Sequence, residues 1–458
     1  MNDFTSPKKR FFGQGRYINE SSAPARLDIL GGGAEYGGCL ALQIPTDRRV
    51  KVSVAKRTDG ILQIQADLPL SPMYLRVPIS SLLDSKGNVH YPKIKASLKS
   101  AAGTDTWSQL VGCVMVMIKE KQIPSFGMDI WVEIEGGSGD MHSMDAPAMV
   151  ATLIAIAKTF GAELKVFEAP RLAMIAKTYI AKEAESAGNV LTAYLGEAFK
   201  VLPILCQPGQ VYPTLEVPDD LHFVGIHVDA SPDEKPERPL HVRTAASMGY
   251  TMIARHLETA FRDMKEALIN GDMEEMPYKG YLANIPPQEF TYRFRRLLPT
   301  CMSGGDFLLR FGVVLDKGAE LHPLKVYPIA AATSHVIFEN ARASRFMYLL
   351  RNLSSNPQSQ EALEEMGKLM YASHKSLAAC GLVSNLAGEL VAHVMELGTD
   401  KGIMGARLTN AGESRIVCLL AKGDEGLKTA HWLSKKYGLS DPQQVSMTIG
   451  SSPGTLFS

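Results

Sequence analysis

The sequence has no net charge: 48 lysines and arginines stand against 48 aspartates and glutamates. A balance of zero excludes the broad electrostatic pull toward nucleic acid or acidic membranes. Long apolar runs are missing too; none approaches the ~18 residues of a spanning helix, so no membrane association is expected. The six cysteines (Cys39, Cys113, Cys206, Cys301, Cys380, Cys418) include no CxxC and no histidine pairs nearby. That argues against a zinc centre or a disulfide framework and for buried free thiols in a reducing compartment. No residue set for a metal stands out. The opening MNDFTSPKKRFFGQGRY is basic with no apolar core behind it, unlike a secretory signal, and a cytoplasmic location is expected. Repeats and low-complexity tracts are absent.

What is present is ordinary globular composition, 45% hydrophobic and 21% charged, in a chain long enough for two domains. RVKVSVAKR and ILQIQADL alternate apolar and polar residues as half-buried strands do, and FGMDIWVEIEG reads the same way. Helical spacing runs from Ser143 to Phe160 and from Ala169 to Ala184. LHFVGIHVDA is a buried strand, followed by helical periodicity from Thr244 to Leu268 and by helices near 332–353 and 360–379. Runs of strands beside runs of helices predict an α+β fold. The proline-bearing connection Pro208–Asp220 divides the chain into domains at 1–220 and 221–458.

Four stretches carry chemistry. APARLDILGGGAEYGGCLALQIPTDRRV (Ala23–Val50) places Arg26, Asp28 and Glu35 in a glycine-laden, loop-like segment between strands, where polar groups can converge on a small ligand. EIEGGSGDMHSMDAPAMVATLIAIAKTFG (Glu133–Gly161) is a glycine-rich turn feeding a helix, the arrangement that holds phosphate. KEAESAGNVLTAYLGEA (Lys182–Ala198) is a helix end, a turn and a new helix. TNAGESR (Thr409–Arg415) is a turn between strands.

Together these resemble the GHMP-superfamily sugar kinases, in the galactokinase and L-arabinokinase branch. APARLDILGGGAEYGG resembles the first motif of that branch. LGEAFKVLPILCQPGQV, LPTCMSGGDFLLRFG, YPIAAATSHVIFENARASRFMYLL, HKSLAACGLVSN, GIMGARLTNAGESRIVCLL and GSSPGTLF continue the likeness in order to Phe457. The resemblance implies two domains, one like domain 2 of ribosomal protein S5 and one ferredoxin-like. It implies transfer of the γ-phosphoryl of ATP, with Mg²⁺, to the anomeric hydroxyl of a monosaccharide.

Carried over by residue, the resemblance gives Arg26 as the family arginine and Asp28, Glu35, Tyr36 and Asp229 as substrate-binding. Gly136, Gly137, Ser138, Gly139 and Ser143 become the phosphate loop, and Asn410, Ala411 and Gly412 the third-motif turn.

Several positions depart from the pattern. Asn189 stands where the family has an aspartate, and an amide accepts no proton from a hydroxyl. Lys177 falls at a metal-binding glutamate, and is expected as an exposed helical lysine. Asp140 and Asp145 enter the phosphate segment; a carboxylate ~4 Å from phosphate costs about 1 kcal/mol in water and about 4 at an effective dielectric near 20. Asp145 is expected to be a helix N-cap. Arg238 and Pro239 replace a sugar-contacting aspartate and tyrosine in what reads as a surface turn, and Glu413 and Arg415 crowd the third motif. The expectation is a catalytically impaired protein that binds or senses a sugar-like small molecule. The alternative is an active sugar kinase with a rebuilt site.

Overall fold

The alternating apolar residues Val50, Val52 and Val54 belong to one long strand in the computed structural model, buried along nearly its whole length. The structure describes residues 6–67, 73–99, 105–135, 144–180, 186–207, 209–229, 236–257, 261–270, 272–409, 415–439, 447–450 and 454–457. That strand, β2 (Leu40–Lys56), runs antiparallel to β1 (Asn19–Leu30). The turn between them needs Gly31: its φ is 88°, and a side chain there would lie 1.9 Å from the Leu40 carbonyl oxygen.

β3 (Ile61–Asp67), β4 (Met73–Pro78) and β5 (Met128–Glu135) extend the sheet on the far side of β2. Its order is β15-β1-β2-β5-β3-β4, and only the β3–β5 pairing is parallel. β6 (Lys200–Leu205) pairs with the start of β2 and carries the short β7 (Gln210–Val211) and β8 (Leu215–Glu216).

Helices Asp105–Lys121, Asp145–Phe160 and Glu168–Ile180 pack together over this sheet. The middle one is apolar on nearly every face and is correspondingly buried along almost its whole length. It stops at Gly161, whose left-handed φ of 69° closes the helix C-terminus. Each fully buried valine or leucine of this core contributes about 1.5–3 kcal/mol. The helix expected over Ala169–Ala184 is seen as Glu168–Ile180, with 181–185 outside the described residues.

A second sheet opens at residue 221 with β9 (Leu221–His227), in the order β12-β13-β9-β14. Its other strands are β12 (Ile403–Leu408), β13 (Ile416–Lys422) and β14 (Met447–Ile449); β10 (Met302–Ser303) and β11 (Val326–Tyr327) form a small separate pair. Helical periodicity expected from 244 to 268 resolves into two helices, Pro239–His256 and Phe261–Asn270. The first begins early because Pro239, pre-set for helix, occupies its first turn. It packs on the long helix Ile329–Leu353 at Gly249, where a side chain would strike the Thr333 hydroxyl at 1.9 Å. The last strand, β15 (Leu456–Phe457), returns to pair with β1 at Ser21 and Ser22. A strand from the 221–458 half therefore completes the first sheet. Among the described residues no helix is long and apolar enough to cross a membrane. All six cysteines are free; four are buried, Cys206 is half-buried and Cys301 is exposed.

Candidate functional site

The expected loop around Arg26 and Asp28 is a strand. Both residues lie in β1, beside irregularities where the register with β2 shifts. Such bulges re-aim side chains, and long-range pairing overrides the loop-like local composition. Asp28 accepts from Arg407 Nη1 at 2.9 Å and from the Gly32 N–H at 2.9 Å. Arg407, fully buried, also donates to the Ile29 carbonyl and lies 3.7 Å from Glu339. Glu339 in turn accepts from the Gly31 N–H at 3.1 Å, Ser373 Oγ at 2.7 Å and Arg342 at 2.8 Å. Burial opposes ionisation of Glu339, yet the charges of Arg342 and Arg407 hold its carboxyl well below the usual range. Asp28 is thus built into an ion network that ties β1 to β12 and to the helix Ile329–Leu353.

Glu35 has different surroundings. It opens the 3₁₀ turn Glu35–Gly37 and is buried. Its carboxylate accepts from the Ser186 hydroxyl and from Gln43 Nε2 at 3.3 Å, and Thr192 Oγ1 donates to Gln43 Oε1 at 2.8 Å. Ser186 is also the N-cap of the helix Ala187–Leu195, accepting from the Gly188 N–H at 3.1 Å. A side chain at Gly188 would meet Glu35 Oε1 at 2.9 Å and Cys206 Sγ at 3.3 Å. Burial pushes the Cys206 thiol far above its usual range, so it is no nucleophile at neutral pH. Gln43, Ser186 and Thr192 escaped the sequence reading; only Ser186 had a legible signal, a serine directly before a helix.

Arg26 and Asn189 are among the buried polar residues of two elements that meet here, since the helix Ala187–Leu195 packs on β1 and β2. Arg26 is 7% exposed; its Nε has no partner, and no hydrogen bond or ion pair to Arg26 forms among the described residues.

Lys177 overturns two expectations. It is 8% exposed, and its ammonium lies 3.1 Å from Asp145 Oδ2. Asp145 does not cap the helix. It is the first helical residue, Met144 occupies the cap, and its carboxylate accepts from Lys177 and, at 2.8 Å, from Gln109 Nε2. An ammonium at the position matched to a metal-binding glutamate, already paired with the neighbouring acid, is no ligand set for Mg²⁺, which demands oxygen donors. Among the described residues no group of three His, Cys, Asp or Glu gathers as a metal site.

Tyr36 lines a cavity of about 290 Å³ with Arg243, Ser247, Tyr250, Tyr281 and Asp316. Arg243 grips Asp316 through two 2.8 Å hydrogen bonds, and the Tyr36 hydroxyl is buried without a partner among the described residues. Burial pushes its phenol well above the usual range. Asp229 follows β9 by two residues. Arg238 and Pro239 start a helix instead of forming a surface turn. Gly136, Gly137, Ser138, Gly139, Asp140 and Ser143 lie outside the described residues, as do Asn410, Ala411, Gly412 and Glu413.

No family model matches the chain. It is 25% identical over 479 positions to L-arabinokinase of Arabidopsis thaliana, a match covering 94% of this chain and 45% of that protein. The chain therefore spans about half the length of that curated relative. Among solved structures it is similar to galactokinase of Lactococcus lactis complexed with galactose (TM-score 0.68, 14% identity, 98% of this chain and 97% of the other). It is also similar to a D-glycero-D-manno-heptose 1-phosphate kinase from Bacteriodes thetaiotaomicron (TM-score 0.51, 12% identity, 96% and 99%). The fold is that of the GHMP kinases. Within it, the chain is similar in sequence to L-arabinokinase and in structure to galactokinase.

Proposed function

We propose that this chain binds a sugar-like small molecule on a kinase scaffold that no longer transfers phosphoryl groups. The observation that carries the reading is the Lys177–Asp145 ion pair, an internal salt bridge at the position matched to a metal ligand. Phosphoryl transfer consists mainly of positioning and neutralising charge, so a chain without a seat for the bridging cation loses most of its catalysis. Asn189 compounds the loss, because an amide takes no proton from the acceptor hydroxyl. ATP and Mg²⁺ belong to the reaction that the resemblance implies; these two positions argue against it.

On the sugar side, Glu35 with Ser186, Gln43 and Thr192 forms a connected polar cluster suited to hydroxyl groups. Thermal-shift measurements with D-galactose, L-arabinose, Mg·ATP and Mg·ADP test the reading. Stabilisation by a sugar, without a Mg·ATP shift, is the expected result; a ligand at a hundred times its Kd contributes about 2.7 kcal/mol. A Mg·ATP shift accompanied by turnover refutes it.

The second reading, an active sugar kinase with a rebuilt site, is favoured by the retention of Arg26 and Glu35 on an intact fold. Under that reading Asn189→Ala leaves turnover largely intact, because the amide is not the base. Under the first, there is no turnover, and Asn189→Asp moves the chain back toward activity.

A further inference from the structure

Buried and half-buried arginines among the described residues have partners. Arg407 holds Asp28, Arg342 holds Glu339, Arg243 holds Asp316, and Arg49 donates to Ser22 and to the Gly454 carbonyl. Arg26 is the exception among the described residues: deeply buried, with neither hydrogen bond nor ion pair. A guanidinium cannot shed its proton to escape this cost, so burial without a counter-ion persists only where something supplies one.

The acids expected around it are committed elsewhere or missing. Asp28 is gripped by Arg407 and the Gly32 N–H, and Glu35 by Ser186 and Gln43. At position 189, on the helix packed against the strand that bears Arg26, the chain has a neutral amide.

We infer that the missing counter-ion arrives with the ligand: the site at Arg26, between β1 and the helix that bears Asn189, takes a monosaccharide that carries its own anionic group, a carboxylate or a phosphate, in preference to a neutral sugar. The inference rests on the sugar-binding reading above and names the substrate class of that site. Arg26 supplies a planar fork of donors to the carboxylate or phosphate oxygens. Glu35 and its polar neighbours supply hydrogen bonds to hydroxyls.

Isothermal calorimetry on the full chain, at low salt and at 0.5 M NaCl, provides the test. The probes are D-galactose, D-galacturonate, D-galactose 1-phosphate and inorganic phosphate. At least one anionic sugar is expected to bind tenfold or more tightly than D-galactose, with the advantage shrinking in high salt. Galacturonate and the 1-phosphate, run separately, tell carboxylate from phosphate. Arg26→Gln equalises charged and neutral sugars. Asn189→Asp, which keeps the arginine but gives it an internal counter-ion, also removes the preference and guards against a misfolded Arg26 variant.

Equal affinity for D-galactose and both anionic forms overturns the inference while leaving a sugar-binding protein. A preference that survives both variants overturns the assignment to Arg26. Inorganic phosphate binding as tightly as the 1-phosphate overturns the sugar part, and the absence of binding by every probe overturns the inference together with the reading beneath it. Turnover of Mg·ATP strikes only the claim that transfer is lost.

Discussion

Two positions that the resemblance matches to acids carry other residues here, with opposite consequences. At the first, Lys177, the charge is paired internally with Asp145 at 3.1 Å. At the second, Asn189, the residue is a neutral amide, and the strand its helix packs against keeps Arg26 buried with no partner among the described residues. Under the proposed function both count against catalysis, yet their physical consequences differ. The first closes on itself and asks nothing of a ligand. The second leaves a positive charge to be satisfied from outside. A paired charge is part of the fold's stability, whereas an unpaired buried charge detracts from it until a ligand binds.

Stability measurements sharpen that contrast. The largest loss is expected from Arg407→Met, which takes away the guanidinium paired with Asp28 and one of the two beside Glu339; urea denaturation should register about 3–5 kcal/mol, toward the upper end. Lys177→Met follows, leaving Asp145 buried without its cation. It too should lose roughly 3 kcal/mol or more, and adding Asp145→Asn should recover most of that. Independent, additive losses in that double mutant would mean the pair is not coupled.

Arg26→Gln is expected to run the other way. Without ligand its stability should equal or exceed the parent's, by up to about 1 kcal/mol, since an uncompensated charge is removed. A loss comparable to that of Lys177→Met would show that Arg26 has an internal partner after all.

Acid provides a further probe. Burial, with the charge of Arg48, lowers His227 to about 3; burial lowers His335 to about 4, and burial with Arg407 lowers His374 to about 4. Their ordinary value is near 6.5, so between pH 6.5 and 4 the unfolded chain binds protons that the folded chain refuses. Stability therefore falls as pH drops through that window, by roughly 2 kcal/mol per histidine at pH 5. His335→Gln and His374→Gln should each flatten the curve. The smallest effect is expected from Ser186→Ala, about 1 kcal/mol for the lost cap, together with weaker binding of any sugar that uses Glu35.

Much of the architecture was legible because local pattern and global packing agree. The alternation around Val52 marks a strand, although the structure buries it on both faces, and the apolar stretch from Ala146 to Ala157 marks a helix buried on all sides. Order of segments along the chain carried the fold class. The site was less legible, since its decisive contacts join residues far apart in sequence. Asp28 and Arg407 are 379 positions apart, and nothing in ARLDIL announces a partner beyond the glycines that follow. Lys177 looked like a surface residue because its helix is amphipathic and its acid lies 32 positions earlier in the chain. Asp145 had the composition of a cap, but a lysine and a glutamine on neighbouring helices offered its carboxylate stronger donors than the helix's own N–H groups.

The central claim is that phosphoryl transfer has been dismantled at residues 177 and 189. Single-turnover incubation of excess protein with γ-labelled ATP, Mg²⁺ and a panel of monosaccharides addresses it most directly. The account predicts label remaining on ATP throughout. Label appearing on a sugar anomeric oxygen would contradict it.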